Sequence, residues 1–429
     1  MRFLCGFARN SSPPLKRIPL PRASAVFPFL DLGETLRIPS PLAYPVRAME
    51  ANRRQIFTAL LAAAAARKLT AADGVTIPGK RPLILHNDRP EDLETPVRYL
   101  NTWITPVDAF FVRQHLPRPS AIDPAAYRIA INGMVSKESQ ISLADLQKLP
   151  QHTVPATLEC TGNGRAFFTP KLPGIQWGRG GVGNAEWTGP RLSDVLKLAG
   201  VDTAAKFLEI DGADSGVLQT PDFVRCMPME KALHPATLLA LKMNGEAPEI
   251  HGVPARLIVP GWDGTSWVKW VIRLTPTAKE SGGFFMNPGY RYPKYALPPG
   301  SAPRPAELEV IEGMPVKSTL TVPEDQSKIP LAPTVIRGFA WAGENAIERV
   351  EVSTDGGAKW QNAQISTQKL PFAWRLFNLN WTPKEPGYYT ILSRATDTAG
   401  RVQPIVPAWN PSGYLWNGID KVGVTVEKV

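Results

Sequence analysis

From Asp73 to about Pro299 the apolar positions fall in short runs, not in long periodic stretches. Phe110 to Val112, Tyr127 to Ile131 and Ala255 to Val259 read as strands, and Leu143 to Leu149 and Arg191 to Leu198 as short helices, with Gly and Pro interrupting the rest. Strands and helices do not alternate regularly, which favours an α+β domain over a doubly wound sheet. Tyr290 to Pro305 is Pro-rich and reads as a linker. Beyond it the pattern becomes a succession of strands, at Thr334 to Trp341, Arg349 to Ser353, Ala373 to Leu379 and Tyr388 to Asp397, with Asp355-Gly356-Gly357 as a hairpin turn. That spacing predicts an all-β sandwich of immunoglobulin type. The expected organisation is a leader over 1–72, an α+β domain over 73–300 and the sandwich over 301–429.

Within the leader, Asn52-Arg53-Arg54-Gln55-Ile56-Phe57 opens an apolar, Ala-rich run from Ile56 to Ala66, followed by Arg67-Lys68 and small residues to Ala72. This is the pattern of a twin-arginine export signal, with Arg53 and Arg54 the pair, cleavage near Ala72 and the periplasm as destination. The run is too short to span a bilayer, and it is apolar on all sides, unlike an amphipathic surface helix. Met49 directly precedes the signal, so residues 1–48 read as an upstream mis-start or a separate leader.

At 429 residues and 43% hydrophobic content the chain can bury a sizeable core in two or three domains. The net charge is +10, yet residues 1–72 hold eleven Lys/Arg against three Asp/Glu, so most of the excess lies in the leader and does not argue for nucleic acid. Beyond residue 72 only Cys160 and Cys226 remain, too few for a disulfide framework.

One glycine motif misleads. Gly178-Arg179-Gly180-Gly181-Val182-Gly183 matches G-x-G-x-x-G, but no apolar strand precedes it and no long helix follows, and a dinucleotide site needs that helix N-terminus for its pyrophosphate. Four other segments carry chemistry. Phe111-Val112-Arg113-Gln114-His115 sets a guanidinium and an imidazole on one side of a strand end. Thr157 to Phe168 places Cys160 beside turn amides, Asn163 and Arg165, neighbours that favour a thiolate suited to a soft metal. His251 to Arg256 and Gly261 to Trp270, with Ser266 and Lys269, offer donors to a large anionic ligand. Taken singly, each has an ordinary role: ion-pair arginines, structural histidines, a solvated lysine, a buried cysteine.

Taken together and in order, these segments resemble the sulfite oxidase family of molybdenum enzymes. FFVRQHLPRP, ECTGNGR, PGIQWGRGGVGNAEWTGPRL and HGVPARLIVPGWDGTSWVKW are similar to its cofactor and substrate segments, and VEVSTDGGAKW with SRATDTAG to its C-terminal dimerisation domain. The resemblance implies a molybdopterin-bound molybdenum ligated by Cys160, with Phe111, Arg113, His115, Asp214, His251, Arg256, Ser266 and Lys269 at the cofactor. It implies Arg113, Arg165 and Trp177 at a sulfite site, since forked guanidinium donors suit a dianion. Lys421 stands where the family has a third arginine, and Phe223 where it has a tyrosine, with Arg225 a possible replacement donor. The implied activity is oxidation of sulfite to sulfate by a homodimer. No C-x-x-C-H haem site occurs, so electrons are expected to pass to a separate acceptor, a periplasmic c-type cytochrome. A sulfane-sulfur dehydrogenase or another molybdopterin oxo-transferase shares this chemistry. From a different class, a noncatalytic secreted binding protein accounts for the sandwich but leaves Cys160 merely buried.

Overall fold

The computed structural model describes residues 77–428, so the leader, its twin-arginine pair and the start at Met49 lie outside the described residues. Among the described residues no helix is long and apolar enough to cross a membrane.

The N-terminal part is built on a five-stranded sheet ordered Ser139–Ser142, Arg128–Ile131, Val271–Thr277, Phe207–Gly212, Arg225–Pro228, in which only Arg128–Ile131 and Val271–Thr277 run parallel. Helices are few and short, at Leu143–Lys148, Leu192–Lys197 and Met229–Ala232, and the first begins at a Ser142–Asp145 capping box. A long antiparallel pair, Gln151–Glu159 with Val182–Pro190, carries the cysteine segment. Ala156 and Leu158 alternate inward, so Cys160 follows directly on the buried end of a strand. One apolar core, including Trp187, Trp267 and Ile258, lies beneath these elements.

The C-terminal part is mostly β. A four-stranded sheet, Lys317–Val322, Thr334–Trp341, Arg375–Trp381 and Gln364–Ile365, belongs with a five-stranded one built around Asp420–Glu427, Gly387–Asp397 and Ile347–Ser353. Inward side chains of both, Ile336, Phe377, Val350, Ile391 and Val424 among them, share a second core.

Two expectations change here. Tyr290 to Pro305 is not a free linker, because Arg291–Pro293 pairs antiparallel with Leu308–Val310. The strand expected from Ala373 instead starts at Arg375, because the preceding residues are used at the junction between the two parts. Thr157 donates its N–H to the Phe372 carbonyl at 2.8 Å, and Trp374 returns its N–H to Thr157 Oγ1 at 2.9 Å. Around them Leu100, Val182, Met314, Phe339, Trp341 and Trp374 form an apolar cluster drawn from both parts.

Candidate active site

The loop after Glu159 is fixed by backbone and side-chain bonds on every side. Cys160 N–H donates to the Gly181 carbonyl at 2.8 Å, and the Cys160 carbonyl accepts from Asn163 N–H at 2.8 Å. The Asn163 side chain donates to Glu159 Oε1 at 2.9 Å and accepts from Gly181 N–H at 3.1 Å. Gly164 then takes φ +89°, a region that costs a side chain strain, and a Cβ there would sit 2.8 Å from the Trp416 ring. Gly164→Ala is therefore expected to destabilise the protein by about 2–4 kcal/mol, through backbone strain and overpacking together, read as a lower urea midpoint.

The turn sends Arg165 across the front of Cys160. Its Nε donates to the Ser412 carbonyl at 3.0 Å and its Nη1 to the Ile175 carbonyl at 2.9 Å, with the guanidinium 5.3 Å from the centre of the Tyr414 ring. Neither bond is to a carboxylate, so the positive charge is left for a ligand. Arg113 reaches the same place from the strand Val112–Arg113, paired to Asp92 at 3.0 Å.

Two cavities meet at Cys160. The first, with about 650 Å³ of space, is lined among others by Phe111, Arg113, His115 and Phe223. Asp214, His251, Arg256 and Lys269 complete its polar wall. The second, about 820 Å³ and open to solvent, is lined by Arg113, Arg165, Trp177, Tyr290 and Tyr414. The cofactor-type and substrate-type residues expected from the sequence thus fall largely into separate compartments that share Cys160.

The first cavity fits an anionic, hydrogen-bonding cofactor. Arg256 is buried at 3% exposure, its two outer nitrogens donate only to the His251 and Trp267 carbonyls, and its Nε has no partner. Burial pushes this guanidinium down to about 9, the mark of a cation with no carboxylate beside it. Lys269 is likewise pulled down by burial, against the raising influence of Asp214, and Asp214 is pushed up by burial. Burial also holds His115 and His251 well below the usual imidazole range, so both are neutral donors or acceptors. A phosphate-bearing pterin would supply the missing negative charge.

Among the described residues no cluster of three or more His, Cys, Asp and Glu side chains is placed to hold a metal by itself. Cys160 can then be one ligand of a centre whose remaining ligands come with the cofactor. The sequence points to neighbours that favour a thiolate, and they are present, but burial outweighs them. It raises the Cys160 thiol, with Arg113, the Gly162 amide and Arg165 opposing. Ligation must therefore displace the thiol proton.

Three expected residues stand apart from both cavities. Lys421 is an exposed residue of the strand Asp420–Glu427, paired with Leu392 in the sheet, and its carbonyl accepts from Arg179. The position aligned with a third cation therefore puts no charge in the cavity, because strand alternation turns it outward. Arg225 is sealed at 2% exposure behind Tyr290, 5.4 Å from that ring, with Nη1 on the Phe285 carbonyl, so it does not replace a hydroxyl at Phe223. Ser266 is buried against Asp263 at 3.4 Å.

Other participants went unseen in the sequence. Lys80 is buried with its Nζ 2.6 Å from His251 Nε2, and Gln114 takes the Lys269 ammonium. Tyr290 and Tyr414 sit in a Pro-rich stretch and a loop, where no periodicity marks them. The glycine motif also finds its use: Gly178 and Gly180 N–H groups donate to the Glu94 carboxylate at 2.8 and 2.9 Å. His86 holds the same carboxylate at 2.7 Å, and its ring lies 5.0 Å from that of Trp177. The loop cradles an internal anion and so fixes the wall of the second cavity.

A family model described as the oxidoreductase molybdopterin binding domain matches residues 115–285, and one described as the Mo-co oxidoreductase dimerisation domain matches residues 308–427. The chain is 34% identical to mitochondrial sulfite oxidase of Rattus norvegicus, over 80% of this chain and 66% of that protein, and so spans just under two thirds of its length. It is 34% identical to sulfite oxidase of Gallus gallus over 80% of this chain and 78% of that protein. Among solved structures, the sulfane dehydrogenase SoxCD from Paracoccus pantotrophus aligns with TM-score 0.68 and 34% identity, over 81% of this chain and 86% of that chain. The chain belongs to the sulfite oxidase family of molybdopterin-dependent oxidoreductases.

Proposed function

We propose that the protein oxidises sulfite to sulfate. The observation that carries this reading is the pair of guanidinium groups, Arg113 and Arg165, converging with Cys160 on one solvent-open cavity. Bound in the neighbouring cavity, molybdopterin-held molybdenum supplies oxygen-atom transfer and two-electron exchange. Sulfite gains one oxygen from water, which releases two protons, and gives up two electrons; the electrons go to an external acceptor, for which we propose a periplasmic c-type cytochrome. Arg165 binds the anion through donors left free by its carbonyl partners, and Trp177 closes the wall behind it. His251, Arg256 and Lys269 hold the cofactor's anionic end, and Lys80 orients the His251 ring.

The twin-arginine pair Arg53-Arg54 supports export to the periplasm, and the sandwich, read as immunoglobulin-like, supports assembly as a homodimer. A second reading, a sulfane-sulfur dehydrogenase, is favoured by the likeness to SoxCD and by the missing third cation at Lys421.

Steady-state oxidation of sulfite with cytochrome c tests the first reading. Arg165→Gln should raise KM roughly 10- to 100-fold, the loss of hydrogen bonds to a charged partner, with a smaller change in kcat. A wild-type protein that holds molybdenum and leaves sulfite untouched, but consumes a carrier-bound sulfane, moves the assignment to the second reading.

A further inference from the structure

The strand Glu91–Glu94 lies opposite Val112–Arg113, and the register sets Asp92 directly across from Arg113 and Leu93 across from Val112. Alternation turns Leu93 into a small apolar core with Leu83 and Val112, so Asp92 and Glu94 share the other face, toward the site. Both carboxylates are buried there, at 1% and 5% exposure. Glu94 is taken up by the glycine loop and His86. Asp92 has a different use, because its partner is one of the two arginines of the second cavity.

Asp92 Oδ1 accepts from Arg113 Nη1 at 3.0 Å and from the Gln114 N–H at 3.3 Å, while Oδ2 has no hydrogen-bond partner. Burial pushes the Asp92 carboxyl up, with the Arg113 charge the first to oppose it. Against the pull of burial, Tyr290 and Asp92 hold the Arg113 guanidinium above its usual value. A carboxylate sealed from water with one oxygen unpaired keeps much of its field. That field reaches the cavity, where the Cys160 thiol is raised by burial and, in smaller part, by Asp92. Both bonds that Arg113 makes, to Asp92 and to the Gln114 carbonyl, use Nη1, which leaves Nη2 and Nε for a ligand.

Arg113 and Arg165 are the charged side chains that line the second cavity. Arg165 donates to carbonyls alone, whereas Arg113 has Asp92 behind it. The charge offered to a ligand is therefore nearer one than two, although both forks still present donors. A site built for a small dianion alone has no need of a buried carboxylate behind one of its two cations. We propose that Asp92 is a specificity-determining residue: by holding Arg113 in an ion pair behind the second cavity, it lowers the affinity for dianions and favours a singly charged, protonated sulfur oxyanion. This rests on the reading of the second cavity as the site of a sulfur anion.

The test is Asp92→Asn, which keeps an oxygen for Arg113 and Gln114 and removes the charge, read on protein carrying the same molybdenum content as wild type. Dissociation constants for inorganic sulfate and for nitrate are followed by tryptophan fluorescence, since Trp177 lines the cavity. A Coulomb energy scales with the charge of the ligand, so the logarithm of the gain for the dianion should be twice that for the monoanion. The expected result is sulfate bound roughly tenfold tighter and nitrate roughly threefold tighter by the variant. Unchanged sulfate affinity overturns the proposal, and so does an equal gain for both anions, which marks a loosened cavity and not a changed charge. Failure of wild type and variant alike to bind either anion overturns it too. Asp92→Ser is the second variant, for an Asn protein that does not fold, with the same two factors expected. If neither variant folds or loads molybdenum, the pair is structural and the proposal is lost. Should the expected gains appear in a protein that leaves sulfite untouched, the proposed activity falls and the role of Asp92 stands.

Discussion

Cys160→Ser is expected to give a folded protein whose turnover is lower by at least roughly three orders of magnitude, about 4 kcal/mol of lost transition-state stabilisation. The loop does not depend on the sulfur for its shape. Cys160 is held through its backbone, by Gly181 and Asn163, and the surrounding bonds run through Glu159, Asn163 and Gly181. Serine fits the same space, so the melting temperature should move little. What changes is the ligand: a thiol can give up its proton to a soft metal in this half-buried setting, whereas a serine hydroxyl holds its proton far more tightly. Metal analysis together with kcat separates the possible outcomes. Turnover within tenfold of wild type, at equal molybdenum, would remove Cys160 from the centre of the mechanism and with it the reason for assigning either cavity.

The elements legible in the sequence were those whose pattern is local. Thr334–Trp341 appears with the bounds its alternation predicts, and Leu143–Lys148 begins where Ser142 can cap it. The segments around Arg113, Cys160, His251 and Lys269 were legible because each joins charged or thiol groups to glycines or a strand end in a short window. Their convergence was not, since it depends on how the sheets are ordered. Arg113 and Lys269 lie 156 residues apart, yet the Lys269 ammonium donates to the Arg113 carbonyl at 2.9 Å. Tyr290 was missed for a different reason: proline density reads as a linker, and nothing local shows that Arg291–Pro293 has a partner strand in Leu308–Val310. Lys421 was misplaced because a position in an alignment does not say which face of a strand it occupies. For Cys160 the cationic neighbours were visible and the burial that outweighs them was not.

The C-terminal part is tied to this chemistry by one buried ion pair, and breaking it should have the largest effect on stability. Lys317, at the start of the strand Lys317–Val322, donates to Glu159 Oε1 at 2.6 Å and to the Asn163 carbonyl at 3.1 Å. Trp341 N–H occupies the other Glu159 oxygen at 2.8 Å, and the Trp341 and Trp416 rings each lie 5.5 Å from the ammonium. Both side chains are about 95% buried, with side-chain exposures of 3% and 5%, so neither charge has water to fall back on. Lys317→Met leaves the carboxylate sealed without its cation, at a cost of about 3–5 kcal/mol, well beyond what an exposed pair contributes. The expected readout is a fall of roughly 5–10 °C in melting temperature. Glu159→Gln in the same chain removes the stranded charge while keeping an oxygen for Trp341, so the double variant should recover a large part of the loss, with a coupling of about 1–3 kcal/mol in the cycle. Because Glu159 directly precedes Cys160 and braces Asn163, the single variant should also load less molybdenum than the double one. If Lys317→Met melts with the wild type, the pair is not what seats the C-terminal sheets against the cysteine loop, and that task falls to the apolar cluster around Trp341 and Trp374.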